Sequence, residues 1–253
     1  MGVKWEVGAS AIEFRLRMAI NAAIIVLGFW SPWIEAWRLS SRISLLEWAS
    51  LELSRVGLFN FTVATPVVIV IAAAIAALGA WLRVWGTAWL GAGVVNNSEM
   101  NADSVMTAGP YRYVRNPLYL GTGLMIAAIS FAMPVTGAVF AIVLIAIFQL
   151  RLILGEEAFL SAKLGQPYSE YLRTVPRLFP RLRTNLSQAR GQPRWGRAVL
   201  AEIYPIGVFV ILAGLSWRYE NMLMIKAFVI CFGISLVVRA LMPMKNAEAA
   251  PTL

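Results

Sequence analysis

Histidine is absent from the 253-residue chain, and cysteine occurs once, as Cys231. The first absence excludes a histidine-ligated metal, a Ser-His-Asp or Cys-His nucleophile and any histidine general base. The second excludes an intrachain disulfide and a thiolate zinc site, so no metal is expected. Charge is scarce too. Asp, Glu, Lys and Arg make up 14% of the chain, against 59% apolar residues. A soluble domain carries about a quarter charged residues, so this chain cannot cover a globular surface with polar side chains. The chemistry left to it is that of carboxylates, Arg, Tyr, Asn, backbone groups or an organic cofactor.

What the chain does have is long apolar runs, the mark of a polytopic membrane protein. We expect an all-α transmembrane bundle with about six spans. Span one covers residues 15–34 and lacks a small-residue cleavage site, so it reads as a retained helix. Span two covers 61–85. Residues 118–150 carry no charge over 33 positions, too many for one helix, and Met133-Pro134 breaks the run near its middle. The expectation is a tight hairpin of two short helices, spans three and four. Spans five and six cover 198–217 and 223–242. Residues 37–60 mix Trp37, Ile43, Leu46, Trp48 and Leu53 with Arg and Glu, as an interfacial amphipathic helix does.

The net charge of +9 is not a nucleic-acid signal, because the basic residues sit between apolar spans. There they set topology and meet anionic lipid. With the loop 91–115 and the segment 155–197 on one side, that side holds all of the 22 basic residues but Arg38, Arg42, Arg55, Arg218 and Lys226. The positive-inside rule makes it cytoplasmic, with both termini inside. Compact loops lean towards a bacterial inner membrane.

Polar residues gather in two places that flank the hairpin. Residues 96–119 are dense in Asn, Asp, Ser, Gly and Pro and read as a structured loop. The loop ends at Asn116, suited to an N-cap, and Pro117, suited to a first helical turn. Free backbone N–H groups there can meet an anion. The second place is 151–183, with Glu156-Glu157 near its start. A tight hairpin brings Tyr111, Arg115, Tyr119, Arg151, Glu156 and Glu157 to one pocket.

The stretch Gly109-Pro110-Tyr111-Arg112-Tyr113-Val114-Arg115-Asn116-Pro117-Leu118-Tyr119-Leu120-Gly121 resembles the Arg-His-Pro-x-Tyr-x-Gly signature of the isoprenylcysteine carboxyl methyltransferase and phospholipid methyltransferase superfamily. Glu156-Glu157, Gly165-Gln166-Pro167-Tyr168-Ser169-Glu170-Tyr171 and Val175-Pro176-Arg177 resemble that superfamily's downstream elements. The likeness covers residues 94–180. It departs at Asn116, where the motif has His, and at Asp103, often His in relatives.

The resemblance implies an S-adenosylmethionine-dependent membrane methyltransferase acting on a lipophilic acceptor, of isoprenylcysteine-carboxyl-methyltransferase type. It implies cofactor contacts at Asn96, Asp103, Ser104, Val105, Met106, Tyr111, Arg115, Asn116, Pro117, Leu118, Tyr119 and Glu156. Arg151 would orient the acceptor, and Glu157 is the candidate base. Methyl transfer needs alignment and desolvation more than a strong base, which suits a histidine-free site. The expected division is N-terminal spans over 1–90, a methyltransferase core over 91–185 and a C-terminal pair over 186–253. Arg173, Arg177, Arg181 and Arg183 read as lipid-facing or topological, Tyr168 and Tyr171 as packing. Asn21, Gln149 and Glu202 read as polar links between helices. Two alternatives stand beside this reading: an NADPH-dependent sterol-type reductase, and a non-catalytic relative.

Overall fold

The computed structural model describes residues 8–30, 43–96, 105–181, 183, 186, 192–218 and 220–241. These residues form α-helices and short 3-10 turns, with no strand among them. The first five helices are α1 (Ala11–Arg15), α2 (Arg17–Phe29), α3 (Leu45–Arg55), α4 (Phe61–Leu90) and α5 (Ala92–Asn96). Then come α6 (Pro117–Ile129), α7 (Val135–Leu164), α8 (Gln166–Thr174), α9 (Trp195–Ala201), α10 (Ile203–Leu215) and α11 (Asn221–Leu241). Local sequence explains the starts. Ser10 and Ser44 open α1 and α3 with capping boxes closed by Glu13 and Glu47. Asn60 caps α4 by accepting from the Val63 N–H at 3.1 Å. Pro117 is the first residue of α6.

The axis of the molecule is α4. Its 30 residues span about 45 Å at 1.5 Å per residue, more than the ~30 Å hydrocarbon thickness of a bilayer. It packs against α6, α10, α3 and α9. The α4–α6 crossing depends on glycine. A methyl group at Gly121 would stand 2.8 Å from the Gly79 carbonyl oxygen and 2.7 Å from Arg83 Cγ. Without side chains the backbones meet closely, and van der Waals packing replaces the hydrophobic drive that lipid cannot supply.

One apolar core joins the helices. It takes Ile24 from α2, Ala76 from α4, Ile126 and Ile129 from α6, and Ala141 and Ile145 from α7. Val208 and Leu212 of α10 and Phe228 of α11 complete it, so the C-terminal helices share the core of the hairpin. Val70, Ile71, Leu78, Val143, Ile147, Val229 and Ile234 point outward and are exposed. In a bilayer such residues face acyl chains, which are as apolar as they are.

The spans differ from expectation in three ways. Among the described residues, three helices are long and apolar enough to cross a membrane, α4, α7 and most of α11, while α2 and α6 are shorter apolar helices. The hairpin turns at Met133-Pro134 as expected, but its second arm is long. Helix α7 runs on through Arg151 and Glu156-Glu157 to Leu164. A charge-free run measures apolar length, not helix length, and Glu, Ala, Leu and Lys all favour helix beyond it. Expected span five is not straight. It is α9 and α10 bent by 69°, with Glu202 at the break. Of the expected interfacial helix, α3 is present, and residues 37–42 lie outside the described residues.

The bundle has two poles. At one, α3 meets the hairpin turn through the Leu45 N–H, which donates to the Met133 carbonyl at 2.8 Å. A mainly apolar cleft of about 380 Å³ lies there, lined by Ser44, Glu47, Ser50, Thr65, Ser216 and Met224 among others. At the other pole lie the end of α4, the start of α6, the end of α7, and α8 and α9. The candidate site is at this second pole.

Candidate active site

Adjacent carboxylates on α7 point about 100° apart around the helix and meet different partners. Glu157 is buried and saturated. Arg177 donates to it through Nη2 at 2.8 Å and Nε at 3.1 Å. Asn116 Nδ2 donates to Oε1 at 3.2 Å, and Arg115 Nε stands 3.2 Å from the same oxygen. Backbone bonds extend the joint. The Arg115 N–H donates to the Pro176 carbonyl at 2.9 Å, and the Arg181 N–H to the Tyr113 carbonyl at 3.0 Å. Arg115 Nη1 donates to the Leu172 carbonyl at 2.7 Å. The Tyr171 hydroxyl donates to the Tyr111 carbonyl at 2.8 Å. Glu157 thus clamps the strap after α8 onto the loop before α6. The lone pairs of such a carboxylate are engaged by its partners. A base needs a lone pair free to face the substrate.

Two sequence expectations change here. Asn116 occupies the N-cap position of α6, but its side chain makes no cap bond. It is drawn instead to Glu157 and to the Arg177 carbonyl at 3.2 Å, because a buried carboxylate is the stronger acceptor. Arg177 was expected to face lipid or mark topology, and it is the bidentate partner of Glu157. Tyr168 and Tyr171 pack together with Val175 in a small buried cluster.

Glu156 opens the other way. It is partly buried and hydrogen-bonded by the Tyr119 hydroxyl. Arg17 of α2 stands close enough to act electrostatically on both. The Arg17 guanidinium also donates to the Val95 carbonyl at 3.1 Å, which ties the end of α5 to this corner. Tyr111 is 7% exposed, and its hydroxyl has no hydrogen-bond partner. That oxygen lies 3.5 Å from where a Cβ would stand at Gly86 on α4. Burial pushes the phenol well above its ordinary range, so it is a neutral donor. A buried polar atom without a partner costs free energy unless a ligand or water meets it.

The remaining expected residues are scattered around this pole. Val105 packs against the Tyr168–Tyr171 cluster, with Met106 next to it in the same irregular stretch. Leu118 covers Gly86 of α4. Asn96 ends α5, and Asp103 and Ser104 lie outside the described residues. The guanidinium of Arg151 is engaged elsewhere. It donates to Glu13 at 3.1 and 3.0 Å, and this pair lowers the Glu13 pKa to about 2. To orient an acceptor, Arg151 would first have to leave Glu13.

A second ion pair lies beneath the site. Arg83 of α4 donates to Glu202 at 2.6 and 2.9 Å and to Thr122 of α6 at 2.6 Å. The Thr87 hydroxyl adds a 2.6 Å bond to Glu202, which is wholly buried. Arg17 and the Arg83–Glu202 pair escaped the sequence reading, because charges near span ends look topological until their partners are known.

Residues 67–167 match the family model described as phospholipid methyltransferase. The match spans less than half of the chain and is a likeness to that family, which lies within the integral membrane methyltransferase superfamily. No curated protein and no solved structure matches the chain. The match supports a membrane methyltransferase and favours neither the reductase nor the non-catalytic alternative. Methyltransferases in general take their methyl group from S-adenosylmethionine. In the matched stretch, the N-terminus of α6 offers free N–H groups for its carboxylate. Tyr111 offers an unused buried donor, and Glu156 a partly buried carboxyl acceptor. The residues present fit the cofactor.

Proposed function

We propose that the protein methylates a lipophilic acceptor that enters from the bilayer, using S-adenosylmethionine bound at the pole formed by α4, α6 and α7. The observation that carries this reading is the convergence of Arg17, Tyr119 and Glu156 beside the partnerless hydroxyl of Tyr111. The cofactor supplies an electrophilic methyl group when bound. The chain supplies alignment and dryness. Glu156 and Tyr111 hold polar groups, the first turn of α6 receives a carboxylate, and Asn116 and Arg115 keep that turn in place through Glu157. Water exclusion by the strap over 171–181 protects a reactive sulfonium. Glu157 acts as a positioning residue. Orientation with this pole in the cytoplasm, in a bacterial inner membrane, follows the distribution of Lys and Arg.

Calorimetric titration of the detergent-purified protein with S-adenosylhomocysteine tests the reading, run beside NADPH. Micromolar binding is expected for the former and none for the latter. Glu156→Gln removes a carboxyl hydrogen-bond acceptor and is expected to weaken binding at least about ten-fold. Binding of NADPH alone would return the reductase. Isoprenylcysteine is one acceptor among several that suit the site, and a labelled-methyl assay over lipid extracts decides between them.

A further inference from the structure

Below the charged corner, three helices place polar or absent side chains at one depth. Asn21 lies one turn along α2 from Arg17, and Gly123 one turn along α6 from Tyr119. On α7, Gln149 lies two turns before Glu156. Packing sets the level. Ile20 packs on the cluster of Phe148 and Leu152, and Ile24 shares a core with Ile145. Asn21, between them in sequence, lies at the level of Gln149 on the helix that packs against α7. Gln149 is 8% exposed. Its Oε1 lies 3.4 Å from the Cβ position of Gly123, and nothing else crowds that position. Its Nε2 is buried and has no hydrogen-bond partner, and the same holds for Asn21 Oδ1. One orphan is a donor and the other an acceptor. No charged residue occurs on α2 after Arg17, on α6, or on α7 before Arg151. The cations of neighbouring helices are engaged, Arg83 with Glu202 and Thr122 and Arg239 with the Ala201 carbonyl, so this level offers a ligand hydrogen bonds and not a counter-charge.

We propose that Asn21, Gly123 and Gln149 form a subsite for an uncharged polar group of the lipid acceptor, one that both donates and accepts a hydrogen bond. This rests on the methyltransferase reading above. The acceptor's chain lies among the apolar faces of α2 and α7, and the missing side chain of Gly123 leaves room for its head.

The probe is N-decanoylethanolamine, an uncharged amphiphile with N–H and O–H donors and a carbonyl acceptor. Methyl decanoate, with no donor, is the control. Each is titrated into the full-length protein in detergent, and S-adenosylhomocysteine is titrated separately. The wild type is expected to bind the amide better than the ester. Gln149→Leu and Gly123→Leu are each expected to weaken the amide about ten-fold and leave S-adenosylhomocysteine affinity unchanged. Equal binding of amide and ester would overturn the proposal. So would unchanged amide affinity in Gln149→Leu with a lowered melting temperature, the signature of amides that only join helices. If Gln149→Leu does not fold, Gly123→Leu decides. A wild type that binds the amide selectively but not S-adenosylhomocysteine would refute the cofactor reading and keep the subsite.

Discussion

Glu202 is the residue whose loss the bundle should feel most. Its carboxylate takes two bonds from Arg83 and one from Thr87, all at 2.9 Å or less. The Arg83 side chain is only 13% exposed. Glu202→Leu strands that guanidinium in the packed end of the bundle. Breaking a buried pair from one side costs about 3–5 kcal/mol, and a lone arginine in a bilayer core costs a similar ~3 kcal/mol. Thr122 remains satisfied through the Leu118 carbonyl. Thr87 can turn its hydroxyl to its own helix. For a chain of this size each kcal/mol moves Tm by roughly 2–4 °C, so a fall of about 6–20 °C is expected. Arg83→Met combined with Glu202→Leu should regain most of it, because two apolar side chains no longer leave a charge behind. Thermal unfolding of the purified protein, read by tryptophan fluorescence, measures both. A fall under about 2 °C for Glu202→Leu, or a double variant no better than the single, would refute the view of this pair as a coupled unit.

Other substitutions separate packing from ligand binding. Tyr111→Phe removes a buried hydroxyl without a partner, so Tm should hold or rise slightly while S-adenosylhomocysteine affinity falls about three- to ten-fold by calorimetry. Glu157→Gln keeps the shape but loses the charge that holds Arg177 and Arg115. Limited proteolysis should then cut near residues 176–181 faster, with Tm lowered by several degrees. Gly121→Leu forces α6 away from Gly79 and Arg83, and failure to accumulate in membranes is the expected result by immunoblot. Glu13 has its pKa lowered to about 2 from 4.5 by Arg151. Its contribution is therefore present above about pH 4.5 and lost as pH falls towards 2. Both side chains are about a third exposed, so screening keeps the effect small, and Glu13→Gln should cost about 1–3 °C at low salt and nothing in high salt.

Element type was legible wherever a single residue sets local geometry. Pro134 marks the hairpin turn and Pro117 the start of α6, because proline decides its own backbone and its neighbour's. The meeting of Asn116 with Glu157 was legible only through the order of two motifs around a hairpin. What escaped is pairing at long range. Arg177 looks in sequence like Arg173 or Arg181, and nothing local says that it alone reaches a buried carboxylate. Glu202 sits where α9 and α10 bend, and Pro205 follows three residues later. Pro205 cannot donate to the Ala201 carbonyl and so accounts for the break, and that carbonyl accepts from Arg239 instead; what the sequence does not show is that the bend brings Glu202 to Arg83. Likewise the length of α7 is set by its partners α8 and α2, while hydropathy sees only its apolar two-thirds.

The charges of this site have a consequence for anyone cutting the chain. Arg83, Glu156 and Glu157 lie within residues 67–167, but their partners Glu202, Arg17 and Arg177 lie outside, and Arg115 alone stays with Glu157. An excised core would keep Arg115–Gly121 and both glutamates and lose a counterion from each of three directions. Grafting this methyltransferase stretch onto another membrane scaffold would therefore call for transplanting a helix before it and a strap and a bent helix after it. The portable unit is defined by electroneutrality, and it is larger than the unit defined by sequence likeness.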